Sequence, residues 1–208
     1  MGNTMKKNKP LLRFPLLIAT SILLAACVTS RPESATLYDL GPLQPIQHQR
    51  PAETLPPISV TEISVPAWLD RPHMFFRLAY ENEQQARFYA QNRWSAPPAQ
   101  LLEQRLKSHI TQSGGIALPS SAGATGVPVL HVEVTDFIQT FTSPQHSEGQ
   151  VGLRASVFNG RTLVAQKTFI RQARASSADA SGGAKALATA SDAAISDLIS
   201  WLDTLPLR

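Results

Sequence analysis

One cysteine among 208 residues, Cys27, has nothing to pair with, so the chain holds no internal disulfide framework and no multi-cysteine metal site. Gly-x-Ser-x-Gly is missing, and with it the nucleophile elbow of an α/β-type hydrolase. A phosphate-cradling loop is missing too, because Gly123 and Gly126 sit in SSAGATGVP with no lysine behind them. No apolar stretch reaches the roughly 20 residues a membrane-crossing helix needs. The formal charge of +4 is misleading, since Lys6, Lys7, Lys9 and Arg13 precede Cys27 and the rest of the chain carries 15 basic and 15 acidic residues. Arg and Lys are then scattered singly rather than gathered into a stripe, which argues against a nucleic-acid partner.

The residue types that support metal or acid–base chemistry are present but dispersed. His48, His73, His109, His131 and His146 include no pair at helix-ligand spacing. His131 and Glu133 would share one strand face, and two residues there fit an ordinary solvated surface better than a metal site. Glu81 and Glu83 read as a polar turn between two strands rather than as a working carboxylate pair. No catalytic set, no metal site and no cofactor is expected.

The N-terminus is more informative. A basic start, an apolar stretch from Phe14 to Ala26 and then Leu24-Ala25-Ala26-Cys27 form a signal-peptide pattern over residues 1–26, with Met1 or Met5 as the initiator. Its last four residues resemble a bacterial lipobox, which implies acylation of Cys27 and a protein tethered to a membrane by its acyl chains. Each buried methylene adds about 0.8 kcal/mol, so several chains hold firmly where one does not. An ordinary secretory signal and an uncleaved anchor are the alternatives. Val28 in place of Asp after the cysteine resembles the signal that sends lipoproteins to the outer membrane, facing the periplasm.

Residues 27–57 read as the lipidated N-terminus, a Pro-rich extended linker and a first short strand, and residues 58–205 as one folded domain. Pro42, Pro45, Pro51, Pro56 and Pro57 exclude a helix there. Ile58–Val65 and Met74–Tyr80 have strand character. Leu102, Leu106 and Ile110 recur every four residues, predicting a helix over 97–111 stopped by Gly114-Gly115. Val129–Phe137, Val151–Val157 and Thr162–Ile170 predict three antiparallel strands, the last two joined at Asn159-Gly160. After a flexible-looking 175–183, a helix over 184–202 carries Leu187, Ala194, Leu198, Trp201 and Leu202 on one face, with Asp192, Ser196, Ser200 and Asp203 opposite. The fold class is α+β: a single domain, mainly antiparallel sheet with two helices packed on it.

Two stretches stand out, VPAWLDRPHMFFRL from Val65 and RFYAQNRWSAPPAQLLEQRL from Arg87. Trp68, Leu69, Asp70, Arg71, Pro72 and Trp94 are their candidate contact residues for a partner or a lipid, weighed against simple core packing of the aromatics. With the lipobox and Tyr38-Asp-Leu-Gly41, these stretches resemble the ABC-type transport auxiliary lipoprotein family. That resemblance implies a PqiC-like, non-catalytic accessory subunit beside an MCE-domain protein and the subunits of an ABC transporter that moves lipids or other hydrophobic molecules between membranes. It also admits a homo-oligomer. A structural or assembly lipoprotein of the outer membrane is the alternative.

Overall fold

Three long strands carry the architecture. The computed structural model describes residues 2, 34–43 and 55–207, so the expected signal peptide, Cys27 and most of the Pro-rich segment lie outside the described residues. Residues 1–34 and 35–208 are separate units, and the fold below belongs to the second. Its elements are β1 (Thr36–Tyr38), β2 (Ile58–Val60), β3 (His73–Leu78), β4 (Ala86–Trp94), α1 (Pro98–Gln112), β5 (Ala117–Pro119), β6 (Val129–Ser143), β7 (His146–Asn159), β8 (Thr162–Arg174) and α2 (Ala180–Leu202).

β6, β7 and β8 form an antiparallel meander. The other edge of β6 is shared: its start pairs in parallel with β2 and its end in parallel with β3. β4 runs antiparallel to β3, β1 is parallel to β4, and β5 is parallel to β2. The long ladders are thus antiparallel and the short ones parallel, and the class is α+β as expected.

β6 extends six residues past Phe137, where the alternation in the sequence breaks down. A register shift between Val134 and Asp136 is the cause. The bulge moves the inward set from Leu130, Val132 and Val134 to Phe137 and Phe141, so one strand reads as two out-of-phase patterns. β2 is shorter than expected, with only an isolated bridge from Ser64 to Glu133 continuing it. The β7–β8 turn has Gly160 and Arg161 at its centre, and only Gly160 has positive φ (57°), the pattern of a type II′ hairpin.

Both helices feed a single core. Leu102, Leu106 and Ile110 of α1 and Leu187, Ala194 and Leu198 of α2 join the inward residues of the sheet. Each such side chain contributes about 1.5–3 kcal/mol by leaving water. α1 ends as the sequence predicts, with Gly114 at φ 79°. α2 starts four residues early: Asp179 accepts a hydrogen bond from Gly182 N at 2.8 Å and caps it. The end of the stretch expected to be flexible, from Ala180, is therefore ordered helix, while residues 176–179 are exposed bends. Gly182 and Gly183 serve there as small residues, because a Cβ on either would collide with Ser177 or with the side-chain amide of Gln139.

Candidate functional site

After Val65 the chain makes a tight turn in which Leu69 N donates to Pro66 O at 2.8 Å. The turn closes one residue before Asp70, so backbone geometry sets it rather than the Asp70 side chain. Its two central side chains part ways with the residue that follows: Leu69 is fully buried, while Trp68 is 38% exposed. Asp70, Arg71 and Pro72 are exposed, and the Pro72 carbonyl accepts from Trp94 N at 2.9 Å. Trp94 is 1% exposed and packs 5.3 Å from Phe137. Of the six candidate contact residues, Leu69 and Trp94 therefore belong to the core and offer no surface.

Trp68 does not stand alone. β3 alternates, sending Met74 into the core and His73 and Phe75 to the opposite, helix-free face. An irregularity in β4 lets Phe88 pair with Phe75, and Arg93 with His73, on that same outer face. Trp68 meets Phe75 edge-on at 5.1 Å, and Phe88 lies 4.8 Å from His73 and 6.3 Å from Phe75. Edge-to-face pairs of this kind are worth about 0.5–1.5 kcal/mol each beyond area burial, which holds the cluster in place. Yet Phe88 stays 53% exposed, and Leu37 of β1, the register partner of Arg93, is 65% exposed. The result is an apolar surface running across β1, β4, β3 and the Trp68 turn. Of its members, sequence reasoning singled out only Trp68; the period-2 run His73-Met-Phe75 was the available sign of Phe75.

The rim of this surface is cationic. Arg93 lies 5.7 Å over the Phe88 ring, its guanidinium donating to the carbonyls of Tyr89 and Asn92. Neither Arg71 nor Arg93 forms an ion pair among the described residues. His73 registers the imbalance: desolvation, then the charges of Arg93 and Arg71, push its pKa below the usual histidine value. Further along the same face, Asp136 accepts from Gln150, whose own carbonyl accepts from Gln172 at 2.5 Å. Burial raises the Asp136 pKa against the opposing pull of Gln150 and Arg77. That part of the face is polar, so the aromatic cluster is a bounded patch.

The remaining chemistry-bearing groups are engaged structurally. Arg105 donates from Nε and Nη2 to the two carboxylate oxygens of Asp192 at 2.6 and 2.7 Å, and His109 Nε2 lies 2.9 Å from Oδ1. Asp192, expected to face water, is instead drawn to α1. With His109 and Arg105 buried and Asp192 half-buried between them, the three side chains act as a clamp between the helices. Glu133 is held by Arg154, and His131 packs on Phe158 at 5.2 Å. Glu81 pairs with Arg87 at 3.0 Å. A cleft of about 340 Å³ lies between Leu37–Gly41 and the start of α2, but Asp39, its one acid, already accepts from Gly41 N at 2.7 Å.

Residues 38–198 match the family model described as ABC-type transport auxiliary lipoprotein component. The fold is similar to the crystal structure of protein XCC0632 from Xanthomonas campestris, of family model DUF330, at 19% identity and a TM-score of 0.70, covering 80% of this chain and 94% of that one. It is also similar to a crystal structure of an uncharacterized protein at 17% identity and a TM-score of 0.64, covering 82% of this chain and 99% of the other. No curated protein matches the sequence.

Proposed function

This chain belongs to the ABC-type transport auxiliary lipoprotein component family, and from that premise we propose that it is the membrane-tethered, non-catalytic accessory subunit of an MCE-type system that moves lipids or other hydrophobic molecules between the two membranes of the envelope. Membership makes it an auxiliary component of an ABC-type transport system, anchored in the cell envelope. The finer reading takes Cys27 as the acylation site after removal of residues 1–26, the outer membrane as the anchoring membrane, and residues 58–205, with β1 added at the sheet edge, as the working domain.

The observation that supports this reading best is the bounded patch of Trp68, Phe75 and Phe88. Exposed Trp68 and Phe88, held edge-to-face by the half-buried Phe75, suit a contact surface, whereas an enzyme needs convergent polar groups in a cleft. The His109–Asp192 pair, which has the residue types for catalysis, is engaged with Arg105 in a contact between two helices.

The test is cross-linking in native envelopes, followed by affinity purification of the mature lipoprotein in mild detergent and mass spectrometry of what comes with it. Enrichment of an MCE-domain protein or transporter subunit, lost with Cys27→Ser, is the expected result. Recovery of only unrelated envelope proteins by abundant, acylated bait overturns the transport reading and favours a structural lipoprotein.

A further inference from the structure

The aromatic patch and the entry of the tether lie on the same edge of the sheet. β1 is the first element of the folded domain, and it pairs with β4 through Thr36 with Asn92, Leu37 with Arg93 and Tyr38 with Trp94. The chain therefore joins the body beside Arg93, on the strand that carries Phe88. Cys27 is nine residues before Thr36. Fully extended, that length of chain spans about 30 Å at most. An acyl anchor at Cys27 accordingly confines this edge of the domain, and no other edge as closely, to the neighbourhood of the bilayer surface.

The chemistry of the patch matches that location. Trp and Phe exposed beside arginine are the residue types that settle at a membrane–water interface, with rings among the upper acyl carbons and guanidinium groups at headgroup level. Leu37, Trp68 and Phe88 supply the apolar surface, and Arg71 and Arg93 supply positive charge that no described carboxylate neutralises. Asp70, next to Arg71, and Asp39, two residues after Leu37 and bonded to Gly41 N, are the acids beside it in sequence, and neither forms an ion pair with Arg71 or Arg93. We propose that this face is a bilayer-docking surface, which seats Leu37, Trp68 and Phe88 in an anionic phospholipid interface and orients the tethered domain on its membrane.

The inference rests on the lipoprotein reading and deepens it, since a tether alone fixes distance but leaves the domain free to tumble. Docking fixes which way the domain faces.

The experiment uses the mature, acylated protein reconstituted in vesicles of phosphatidylcholine, or of phosphatidylcholine mixed with phosphatidylglycerol, that carry brominated lipid as a quencher. Both preparations are anchored, so anchoring itself contributes no difference. The Trp68 signal is taken as the emission lost in Trp68→Phe, because the buried Trp94 and the half-buried Trp201 also emit. The expected result is quenching of Trp68 in the anionic vesicles, weakened by salt, with Arg71→Ala lowering the docked-to-undocked ratio about fivefold. Trp68→Phe and Arg71→Ala change exposed side chains, and circular dichroism checks that both variants remain folded. Fully acylated protein whose Trp68 is unquenched in both lipids overturns the docking surface while leaving the accessory reading intact. Protein found without acyl chains by mass spectrometry overturns both.

Discussion

Arg105 and Asp192, 87 positions apart, meet in a two-pronged pair at 2.6 and 2.7 Å that ties α1 to α2. Arg105 also donates from Nη1 to the Gly41 carbonyl at 2.7 Å, so one guanidinium fixes both helices and the segment after β1. Removing Arg105 leaves Asp192 charged and half-buried, with His109 as its remaining partner. Arg105→Ala is expected to cost about 1.5–3 kcal/mol, read as a lowered midpoint in urea unfolding. Its replacement by methionine together with Asp192→Leu should recover much of that loss, because the cost lies in stranding a charge.

The same pair sets the acid limit of the fold. Burial alone would raise the Asp192 pKa, but the hydrogen bonds and charges of Arg105 and His109 outweigh it and hold the carboxyl below its ordinary value of 3.8. A depressed folded-state pKa gives stability that is complete above the unfolded value and is lost as pH falls through the folded one. Stability measured from pH 6 downward should therefore start to drop near the ordinary carboxylate range, about 4, and keep falling below it. Asp192→Asn should be less stable at neutral pH and show a shallower acid slope. An unchanged slope would exclude Asp192 as the titrating group.

The two tryptophans of the recognisable stretches should behave oppositely. Trp94→Ala empties a fully buried site against Phe137 and is expected to cost about 3–5 kcal/mol in thermal unfolding. Trp68→Ala loses an edge contact to Phe75 and some half-exposed surface, about 1 kcal/mol, while abolishing whatever the patch binds. Equal losses of stability would mean that Trp68 is a core residue.

Glycine to alanine separates two other causes. At Gly149 a Cβ would lie 2.6 Å from Leu187 N and 2.8 Å from the carbonyl carbon of Ala186, against the backbone of α2. Gly149→Ala must lift the helix from the sheet and should cost about 1–3 kcal/mol, with altered near-UV dichroism from Trp201. At Gly160 there is open space but positive φ, so Gly160→Ala should cost about 1–2 kcal/mol through backbone strain alone, leaving that spectrum unchanged.

An anionic interface at the patch should also be visible at His73. Its pKa is low because desolvation and two unpaired arginines oppose protonation. Phosphate groups docked on Arg71 and Arg93 would cancel that repulsion, so the imidazole should titrate at higher pH with anionic vesicles than without, as followed by NMR of its ring protons. No movement would count against headgroup contact.

Local periodicity made much of this structure readable. Leu102, Leu106 and Ile110 announced α1, and the Asn159-Gly160 dipeptide announced the hairpin within one residue of its true centre. The misreadings arose where a long-range contact decided the outcome. Nothing near Gly182 and Gly183 in sequence reveals that Gln139 lies against them. Ala117–Pro119 becomes a strand only because β2 offers its edge. Asp192 sits on the nominally polar side of its helix, and only the position of Arg105 makes that side an interface. The patch was half legible for the same reason: Trp68 was conspicuous, but its company depends on an irregular β4 that sets Phe88 beside Phe75.

Among the described residues β8 pairs only with β7, which leaves one row of backbone groups along its thirteen residues without a strand partner there. Such a row is a template for another strand, and the most abundant strand of matching length is the same one in a second molecule. Two copies joined there about a two-fold axis would bring Lys167 beside Lys167 near the centre, with Arg161 and Arg174 adding further positive charge towards the ends. Like charges along such an edge repel. The basic residues of this strand therefore disfavour edge-to-edge pairing with a second copy of it.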